Sequence, residues 1–407
     1  MSNLSAQTDL RVLFIGNSYT AVNNLPEVVK QVAASAGKTI YYQASTPGGQ
    51  TLQQHSSNAT TLNLIRQGHW DFVVLQEQSQ IPSFPDGQVA SQFYPYVQKL
   101  DDSIHFYSPC AKTLLYITWG RKNGDQANCP NFPPLCTYEG MDDQLTTNYS
   151  NAAQQTHAFL SPVGPTWRYL RTNNPELELY QSDESHPSVI GTYAAACTFY
   201  SVLFQATMQD VHYDFSLAAS DAQKVRSAVQ AVVADDLANW SQYGTVKINS
   251  FSGIQQGNSL IFDFSVSTEG AQPTSYFWDF GDGSTSTEVS PTHTFSDSGE
   301  YQICVSAIRN CDTVTRCENV HVDGTTTTVK EIFKNSVSLS PNSFHAFIRV
   351  RGVAGGFQYK ICNLSGKIVK AGVASQDEIV TDELPNDLYF VQIRSNEGVR
   401  TFKMLKN

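Results

Sequence analysis

The sequence predicts an α/β domain built on a parallel sheet, followed by two all-β sandwich domains. Over residues 10–243, apolar strand-like runs alternate with helix-like segments, which is typical of a parallel sheet covered by helices. Over residues 245–323 the helical periodicity is lost and short alternating strands replace it. Residues 330–407 also alternate like strands, after a threonine-rich linker at 325–328. A chain of 407 residues exceeds the size of one compact domain, so we expect this division into three.

Apolar runs mark the strands of the first domain. The predicted buried strands are residues 11–16, 70–75 and 112–119. A helix is predicted over residues 25–36, and a last one over residues 188–204. In a parallel sheet with helices on both faces, functional residues gather where the strands end. We therefore expect a site at the carboxyl edge of this sheet.

The charge balance excludes two classes of partner. The formal net charge is -11 at pH 7, whereas nucleic acids and anionic membrane surfaces require a basic face. No apolar run approaches the roughly 20 residues that cross a bilayer, so we expect no membrane span. Residues 4–7, Leu-Ser-Ala-Gln, resemble the end of a secretory signal peptide, which predicts a leader ahead of the numbered chain and an extracellular protein.

The eight cysteines favour disulfide bonds over metal binding. Cys129 and Cys136 flank a short loop and are predicted to pair in an oxidising compartment. Of Cys304, Cys311 and Cys317, cross-strand spacing favours pairing the first with the third, and the odd count leaves one unpaired. The alternative, that all eight are reduced core residues, stays open. No CxxC spacing is present, so neither a metal nor another cofactor is expected.

A serine and a distant acid–base pair carry the predicted chemistry. Ser18 directly follows the first buried strand, where a sharp strand-to-helix turn exposes a hydroxyl at the edge of the sheet. A serine hydroxyl needs a base, and Asp183 and His186 stand three residues apart just before the last helix. The alternative for Ser18 is a helix cap.

These motifs resemble those of the SGNH (GDSL) hydrolases. The usual GDS appears here as GNS at residues 16–18, and the DxxH pair stands at residues 183–186. A GGxxLxxH stretch at 48–55 and a WDxVVLQ stretch at 70–76 match one branch of that family, and the resemblance covers nearly all of residues 10–205. It implies a flavodoxin-like three-layer domain and a serine esterase. Ser18 would be the nucleophile, His186 the base and Asp183 the group that orients the imidazole.

The resemblance also places an oxyanion hole. The N–H groups of Ser18 and Gly49 would bind the oxyanion, with Gly48 as the second choice for the glycine. A glycine pair after a strand could equally form an ordinary turn.

The third oxyanion donor departs from the family pattern. The usual GxND block, whose asparagine donates a hydrogen bond, is absent, and Gln76-Glu77-Gln78-Ser79-Gln80 follows the second predicted strand. We predict that Gln76 supplies the donor because it ends the strand. Gln78 and Gln80 are the alternatives.

Two further resemblances concern the β-rich regions. Residues 276–284 closely resemble the WDFGDGS signature of PKD domains, in which Trp278 and Phe280 would face the core. The third domain resembles the C-terminal sorting domain of type IX secretion cargo, through an SPN element at 340–342 and strands near 359–367 and 388–393. It departs from that pattern in having no glycine turn before the strand at 388. This likeness implies the secretion machinery as a partner and removal of the domain after export.

Together these features predict a secreted or cell-surface serine esterase. The expected substrate is a small-molecule or polysaccharide ester, and we favour acetyl or other short acyl groups on carbohydrate, by analogy with secreted polymer-degrading enzymes that carry PKD domains. The alternative is a non-catalytic glycan-binding or adhesion protein built on a hydrolase fold.

Overall fold

The computed structural model describes residues 9–257, 259–323, 338–340, 343–351, 353, 356–363, 367–374, 377–395 and 398–406. They form two compact units that divide between Thr245 and Val246. The predicted signal-peptide-like start at 4–7 and the linker at 325–328 lie outside the described residues.

The first unit alternates strands and helices along the chain. Its elements are β1 (Asp9–Ile15), α1 (Ser18–Ala21), α2 (Leu25–Ser35), β2 (Thr39–Ser45), α3 (Leu52–His55), α4 (Ala59–Arg66), β3 (Phe72–Leu75), α5 (Asp86–Gln92), α6 (Tyr94–Tyr107), β4 (Lys112–Tyr116), α7 (Tyr138–Thr156), β5 (Phe159–Ser161), α8 (Val163–Asn173), α9 (Val189–Phe204), α10 (Ala219–Val232) and α11 (Leu237–Ser241).

The five strands form one parallel sheet in the order β2-β1-β3-β4-β5. Alternate residues of β1 face opposite sides: Val12 and Phe14 join one hydrophobic core, and Leu13 and Ile15 join the other. Helices α2, α8, α9 and α10 cover the first side, and α6 and α7 cover the second. The predicted flavodoxin-like, three-layer α/β fold is therefore confirmed.

The strand order locates a crevice. The chain moves from β1 outward to β2 and then returns to β3 on the other side of β1, so the direction of winding reverses between β1 and β3. Loops leaving the carboxyl ends of these two strands diverge, and such a switch point is where open α/β sheets bind ligands. The segments after Ile15 and Leu75 lie at this point.

The second unit is built from β-strands. Its elements are β6 (Val246–Gln255), β7 (Ile261–Gly270), β8 (Ser275–Asp279), β9 (Thr285–Ser286), β10 (Thr292–Thr294), β11 (Gly299–Arg309), β12 (Asp312–Val322), β13 (Ser338–Ser340), β14 (Ser343–Phe344), β15 (Phe347–Arg351), β16 (Phe357–Asn363), β17 (Ile368–Ala374), β18 (Glu378–Val380), β19 (Leu388–Ser395) and β20 (Gly398–Lys406).

Strands β6 to β12 form a sandwich. The two antiparallel sheets have the orders β10-β7-β6 and β12-β11-β8-β9, and residues of both share one core. Trp278 and Phe280 are buried in that core, as predicted. Gly281 and Gly283 have φ angles of 79° and 97°, which explains the two glycines of the turn.

Strands β13 to β20 form two more sheets, in the orders β13-β15-β18 and β14-β20-β19-β16-β17, around a separate core. The pairing is antiparallel except between β14 and β20. Pro341 and Asn342 of the predicted SPN element and residues 364–366 lie outside the described residues.

The disulfides follow the sequence prediction in two cases. Cys129 pairs with Cys136, and Cys304 pairs with Cys317 across strands β11 and β12. Cys311 is also disulfide-bonded, so the expectation that one of these three cysteines stays unpaired is wrong. The error arose because the prediction considered only the three cysteines between residues 304 and 317 as partners for one another. Disulfides of this kind are typical of proteins outside the reducing cytosol.

Within the residues that the structure describes, no helix combines the length and the apolar character that crossing a bilayer requires.

Candidate active site

Ser18 is the first residue of the short helix α1. Gly16 and Asn17 connect it to strand β1, and Asn17, not Ser18, is the N-cap, because its side-chain Oδ1 accepts a hydrogen bond of 3.1 Å from Tyr19 N. The capping alternative for Ser18 is therefore wrong. The hydroxyl of Ser18 is left available for another partner at the switch point.

That partner is His186. Its Nε2 lies 2.8 Å from Ser18 Oγ, and its Nδ1 donates a hydrogen bond to Asp183 Oδ2. The structure thus brings together the three residues of the predicted triad, although Ser18 and His186 are 168 positions apart in sequence. An imidazole held between a hydroxyl and a carboxylate can take the hydroxyl proton and is stabilised when it becomes charged.

The carboxylate of Asp183 is held in place by its own loop. Its Oδ1 accepts hydrogen bonds from the backbone N–H groups of Ser185 at 3.1 Å and His186 at 2.9 Å. Partial burial disfavours the charged form, but the bonds from His186 and Ser185 outweigh burial and lower the pKa of Asp183. Asp183 is therefore ionised at neutral pH and can orient the imidazole.

Aromatic side chains hold the loop that carries Asp183 and His186. Trp119 Nε1 donates to Ser185 O at 3.0 Å, and Tyr19 OH lies 2.6 Å from Ser185 Oγ. The rings of Tyr19 and Trp119 are stacked, with centroids 4.8 Å apart, and Trp119 stacks in turn on Trp167 at 3.8 Å. The residues beside Ser18 and His186 are thereby joined to the same buried stack.

A disulfide-closed loop lies along one side of the triad. Lys122 N donates to Glu184 O at 3.0 Å, and Asn123 Nδ2 donates to Glu184 Oε2 at 2.9 Å. The pair Cys129–Cys136 closes the same loop further along the chain. Glu184 itself has a φ of 61°, so the segment between Asp183 and His186 turns sharply.

Gln76 does not occupy the predicted position. It is fully buried, and its Oε1 accepts hydrogen bonds from Asn17 N at 2.9 Å and Thr20 Oγ1 at 3.0 Å. Its Nε2 donates to the carbonyl of Glu77. The prediction that Gln76 donates to the oxyanion is therefore wrong, because its side chain is fully shielded and its amide supports the turn before Ser18.

The buried amide of Gln76 also explains why position 16 is a glycine. A Cβ atom on Gly16 would lie 2.6 Å from Gln76 Oε1 and 2.7 Å from Thr20 Oγ1, closer than real contacts allow. Any side chain at position 16 would therefore displace the Gln76 amide from its bonds to Asn17 N and Thr20 Oγ1.

The two alternative glutamines are half-buried. Gln78 Oε1 accepts a bond of 2.9 Å from Gln80 N, and Gln78 Nε2 donates to Gln80 Oε1 at 3.1 Å. Gln80 Nε2 donates to the buried carboxylate of Asp125 at 2.5 Å. Among the described residues the amide nitrogens of Gln78 and Gln80 each have one acceptor, so each keeps a second N–H for another group. The Gln80 nitrogen is held by the buried carboxylate of Asp125, whereas Gln78 Nε2 bonds only the side chain of Gln80, so Gln78 is the better candidate for the third donor.

Gly49 lies in an exposed turn with a φ of 68°, a conformation that favours glycine. A hydrogen bond of 3.0 Å from Asn17 Nδ2 to Gln50 O joins the next residue to the turn before Ser18. The structure thus links the predicted glycine loop to the nucleophile turn. Gly48, the second choice, is also exposed and has no left-handed φ.

Two buried residues of this region were not predicted. His55 Nε2 donates to Gly16 O at 2.8 Å, and its Nδ1 accepts from Thr61 Oγ1 at 2.7 Å. Burial lowers the pKa of His55, so the ring is neutral. Glu77 is fully buried, and burial raises its pKa to about 8. Both residues have polar neighbours in the sequence, so no local pattern marks either of them as buried.

In the described part of the chain, no group of three or more His, Cys, Asp or Glu side chains is arranged to hold a metal ion.

Comparison with known proteins identifies one module. Residues 245–324 match the family model of the PKD domain, so the chain contains a PKD domain there. A microbial collagenase from Vibrio alginolyticus is 45% identical over 51 residues, which are 12% of this chain and 6% of the collagenase. The chain thus matches only a small part of that relative's length.

Solved structures resemble the chain at low identity. A DUF4886 family protein from Bacteroides uniformis is 18% identical with a TM-score of 0.46, covering 55% of this chain and 94% of that chain. A proposed SGNH hydrolase from Slackia heliotrinireducens is 24% identical with a TM-score of 0.40, covering 49% of this chain and 100% of that chain. At these values the likeness carries no conclusion about activity.

Proposed function

We propose that this protein is a serine esterase that hydrolyses carboxylic esters through an acyl-enzyme. The observation that carries the proposal is the hydrogen-bonded series Ser18 Oγ, His186 and Asp183 at the switch point of a doubly wound sheet. A serine hydroxyl within 2.8 Å of an imidazole that a carboxylate orients has the arrangement needed for nucleophilic attack on a carbonyl carbon.

The reaction proceeds in two halves. Ser18 Oγ attacks the ester carbonyl while His186 Nε2 takes the hydroxyl proton, and the carbonyl oxygen becomes an oxyanion. Collapse of the tetrahedral intermediate expels the alcohol, which receives the proton from His186, and leaves the acyl group on Ser18. Water then attacks the acyl-enzyme by the same steps and releases the carboxylic acid.

The oxyanion is proposed to bind three donors. These are the backbone N–H groups of Ser18 and Gly49 and the side-chain amide of Gln78, which replaces Gln76 in our assignment. Preorganised donors of this kind stabilise the intermediate because they need no reorganisation as charge develops.

The proposed substrates are acetyl or other short acyl esters of carbohydrates, acted on outside the cell. The PKD domain and the disulfides support an extracellular protein. The carbohydrate assignment is an analogy with secreted polymer-degrading enzymes that carry such modules. We further propose that the third region, 330–407, is a sorting domain recognised by a type IX secretion machinery, as its sequence resemblance suggests.

The proposal is tested with Ser18→Ala and p-nitrophenyl acetate. Loss of the nucleophile should lower kcat at least about 10³-fold. The melting temperature should change little, because the side chain of Ser18 bonds only His186 among the described residues. Ser185→Ala, a neighbouring hydroxyl that contacts Tyr19 instead, is the matched control and should retain most activity. A Ser18→Ala protein with more than about a tenth of the original kcat would exclude Ser18 as the nucleophile.

Two assays test the substrate class. One measures the release of acetate from acetylated xylan, and the other measures the release of longer acyl groups from p-nitrophenyl esters. Preference for long chains would contradict the assignment to short acyl groups.

A further inference from the structure

Glu77 is a buried carboxyl group that the reaction above does not use. It lies two residues after the end of strand β3, and its side chain is fully shielded from solvent. Among the described residues, Glu77 takes part in no ion pair. Its backbone N–H donates a hydrogen bond of 3.1 Å to the hydroxyl of Tyr149. A carboxyl group left without a cation in such a place needs another reason to be buried.

The carboxyl group bridges two loops. Its Oε1 accepts hydrogen bonds from Leu52 N at 3.1 Å and from Gln78 N at 2.6 Å. Its Oε2 also lies 3.2 Å from Leu52 N. Leu52 begins helix α3 immediately after the loop that contains Gly49, whereas Gln78 lies on the loop after β3. One oxygen atom therefore joins the two loops to which we assign the second and third oxyanion donors.

Helix α3 is held at its other end as well. His55, its last residue, donates to Gly16 O at 2.8 Å, directly before the turn that presents Ser18. The bond from Asn17 Nδ2 to Gln50 O adds a third connection between the glycine loop and this turn. The glycine loop is therefore fixed against both the nucleophile turn and the loop after β3.

We propose that Glu77 is a positioning residue that keeps the Gly49 and Gln78 loops at the separation the oxyanion requires. This inference rests on the proposed esterase function. Glu77 does not touch the substrate, and it acts through the two N–H groups that it accepts. Because oxyanion donors must lie within a few tenths of an ångström of their target, loss of the bridge should affect the transition state more than substrate binding.

The test compares two substitutions of Glu77. Leucine fills a similar volume but accepts no hydrogen bond, so Leu52 N and Gln78 N lose their acceptor. Glutamine keeps a carbonyl oxygen that can accept both. With p-nitrophenyl acetate, Glu77→Leu should lower kcat about 10- to 100-fold while KM changes less than about twofold. Glu77→Gln should restore kcat to within about threefold of the original protein.

A matched control is available in the same domain. Asp101 is also a buried carboxyl group, and it accepts from Thr113 Oγ1 at 2.5 Å near the amino end of β4, at the sheet edge opposite Ser18. Asp101→Ala, which removes the acceptor of Thr113 Oγ1, should lower the melting temperature and leave kcat unchanged. The rate at which a fluorophosphonate labels Ser18 is a second readout, since its phosphoryl oxygen uses the same donors, and only the Glu77→Leu protein should label slowly.

The outcomes separate the two proposals. Normal kcat and labelling in Glu77→Leu, with Ser18→Ala inactive, would overturn the role of Glu77 and leave the esterase intact. An original protein that neither hydrolyses the ester nor reacts with the phosphonate would overturn the esterase proposal itself. If Glu77→Leu does not fold, Glu77→Met removes the same acceptor oxygens with a flexible side chain of similar volume. It should show the same loss of kcat, and a normal kcat would refute the bridge.

Discussion

Gln76 and Gln78 are two positions apart and have different surroundings. Gln76 is buried beneath the nucleophile turn, where both ends of its amide are bonded to neighbouring residues. Gln78 is half-buried, so the free N–H of its amide can reach a bound group, which the fully shielded Gln76 cannot do. The first residue can therefore support structure, and the second can serve the reaction.

This difference gives opposite expectations for two alanine variants. Gln76→Ala leaves Asn17 N and Thr20 Oγ1 without their acceptor, at a cost of about 1–3 kcal/mol in stability. Its melting temperature should fall, and kcat should change less than about tenfold. Gln78→Ala should keep the melting temperature and lower kcat about 10²-fold with little change in KM. Gln80→Ala is the control, and a large loss of kcat confined to that variant would move the donor to Gln80.

Sequence reasoning selected three residues that the structure places in hydrogen-bond contact, but not all of their supports. Ser18, Asp183 and His186 stand in short motifs whose spacing is visible in the chain, and the structure brings them together. Gln76 was misassigned because a sequence does not show whether the residue after a strand is buried or faces the site. The roles of His55 and Glu77 depend on contacts between segments, which no local pattern reveals.

Helix α3 has four residues, too few to be stable alone, and its contacts hold it in place. Its first N–H, from Leu52, donates to the carboxyl group of Glu77. Burial raises the pKa of Glu77 to about 8, whereas the pKa of a glutamate in an unfolded chain is about 4.3. Between these pH values the folded protein keeps a proton that the unfolded chain releases. The contribution of Glu77 to stability is therefore complete at low pH and is lost as the pH rises through about 8.

Glu77→Gln should remove this dependence, since an amide does not titrate. The melting temperature of the variant, relative to that of the original protein, should rise between about pH 5 and about pH 8.5. Burial also raises the pKa of Asp142, to about 6, but that group is present in both proteins and cancels in the difference. A constant difference across this range would show that Glu77 has the same pKa in the folded and unfolded chains.

Element prediction succeeded where the pattern was strong. The long apolar runs became β1, β3 and β4, and the segment after Pro187 became α9, because strands and helices buried on most sides are apolar throughout. Strands β2 and β5 were not predicted. The first has exposed and half-exposed residues at the edge of the sheet, and the second has three residues.

At the scale of the whole molecule, two compact units have separate hydrophobic cores. The change from helical to alternating periodicity after residue 243 could be predicted from the sequence, because it reflects which residues each fold must bury. The grouping of the last two β regions into one unit could not, since it depends on contacts between distant strands.

Separate cores should give separate unfolding transitions. Asp101→Ala removes the acceptor of a buried hydrogen bond in the first unit, so calorimetry should show one transition lowered by roughly 2–6 °C and another unchanged. A single transition that moves as a whole would show that the two units unfold together.

The stacked rings of Trp119 and Trp167 have an optical consequence. Their indoles are nearly parallel, at an angle of 7° with centroids 3.8 Å apart, so their electronic transitions couple. Circular dichroism of the folded protein should contain an exciton signal from this pair that disappears on unfolding. Because Trp119 also stacks on the residue next to Ser18, the same signal reports whether an inactive variant still has an ordered site.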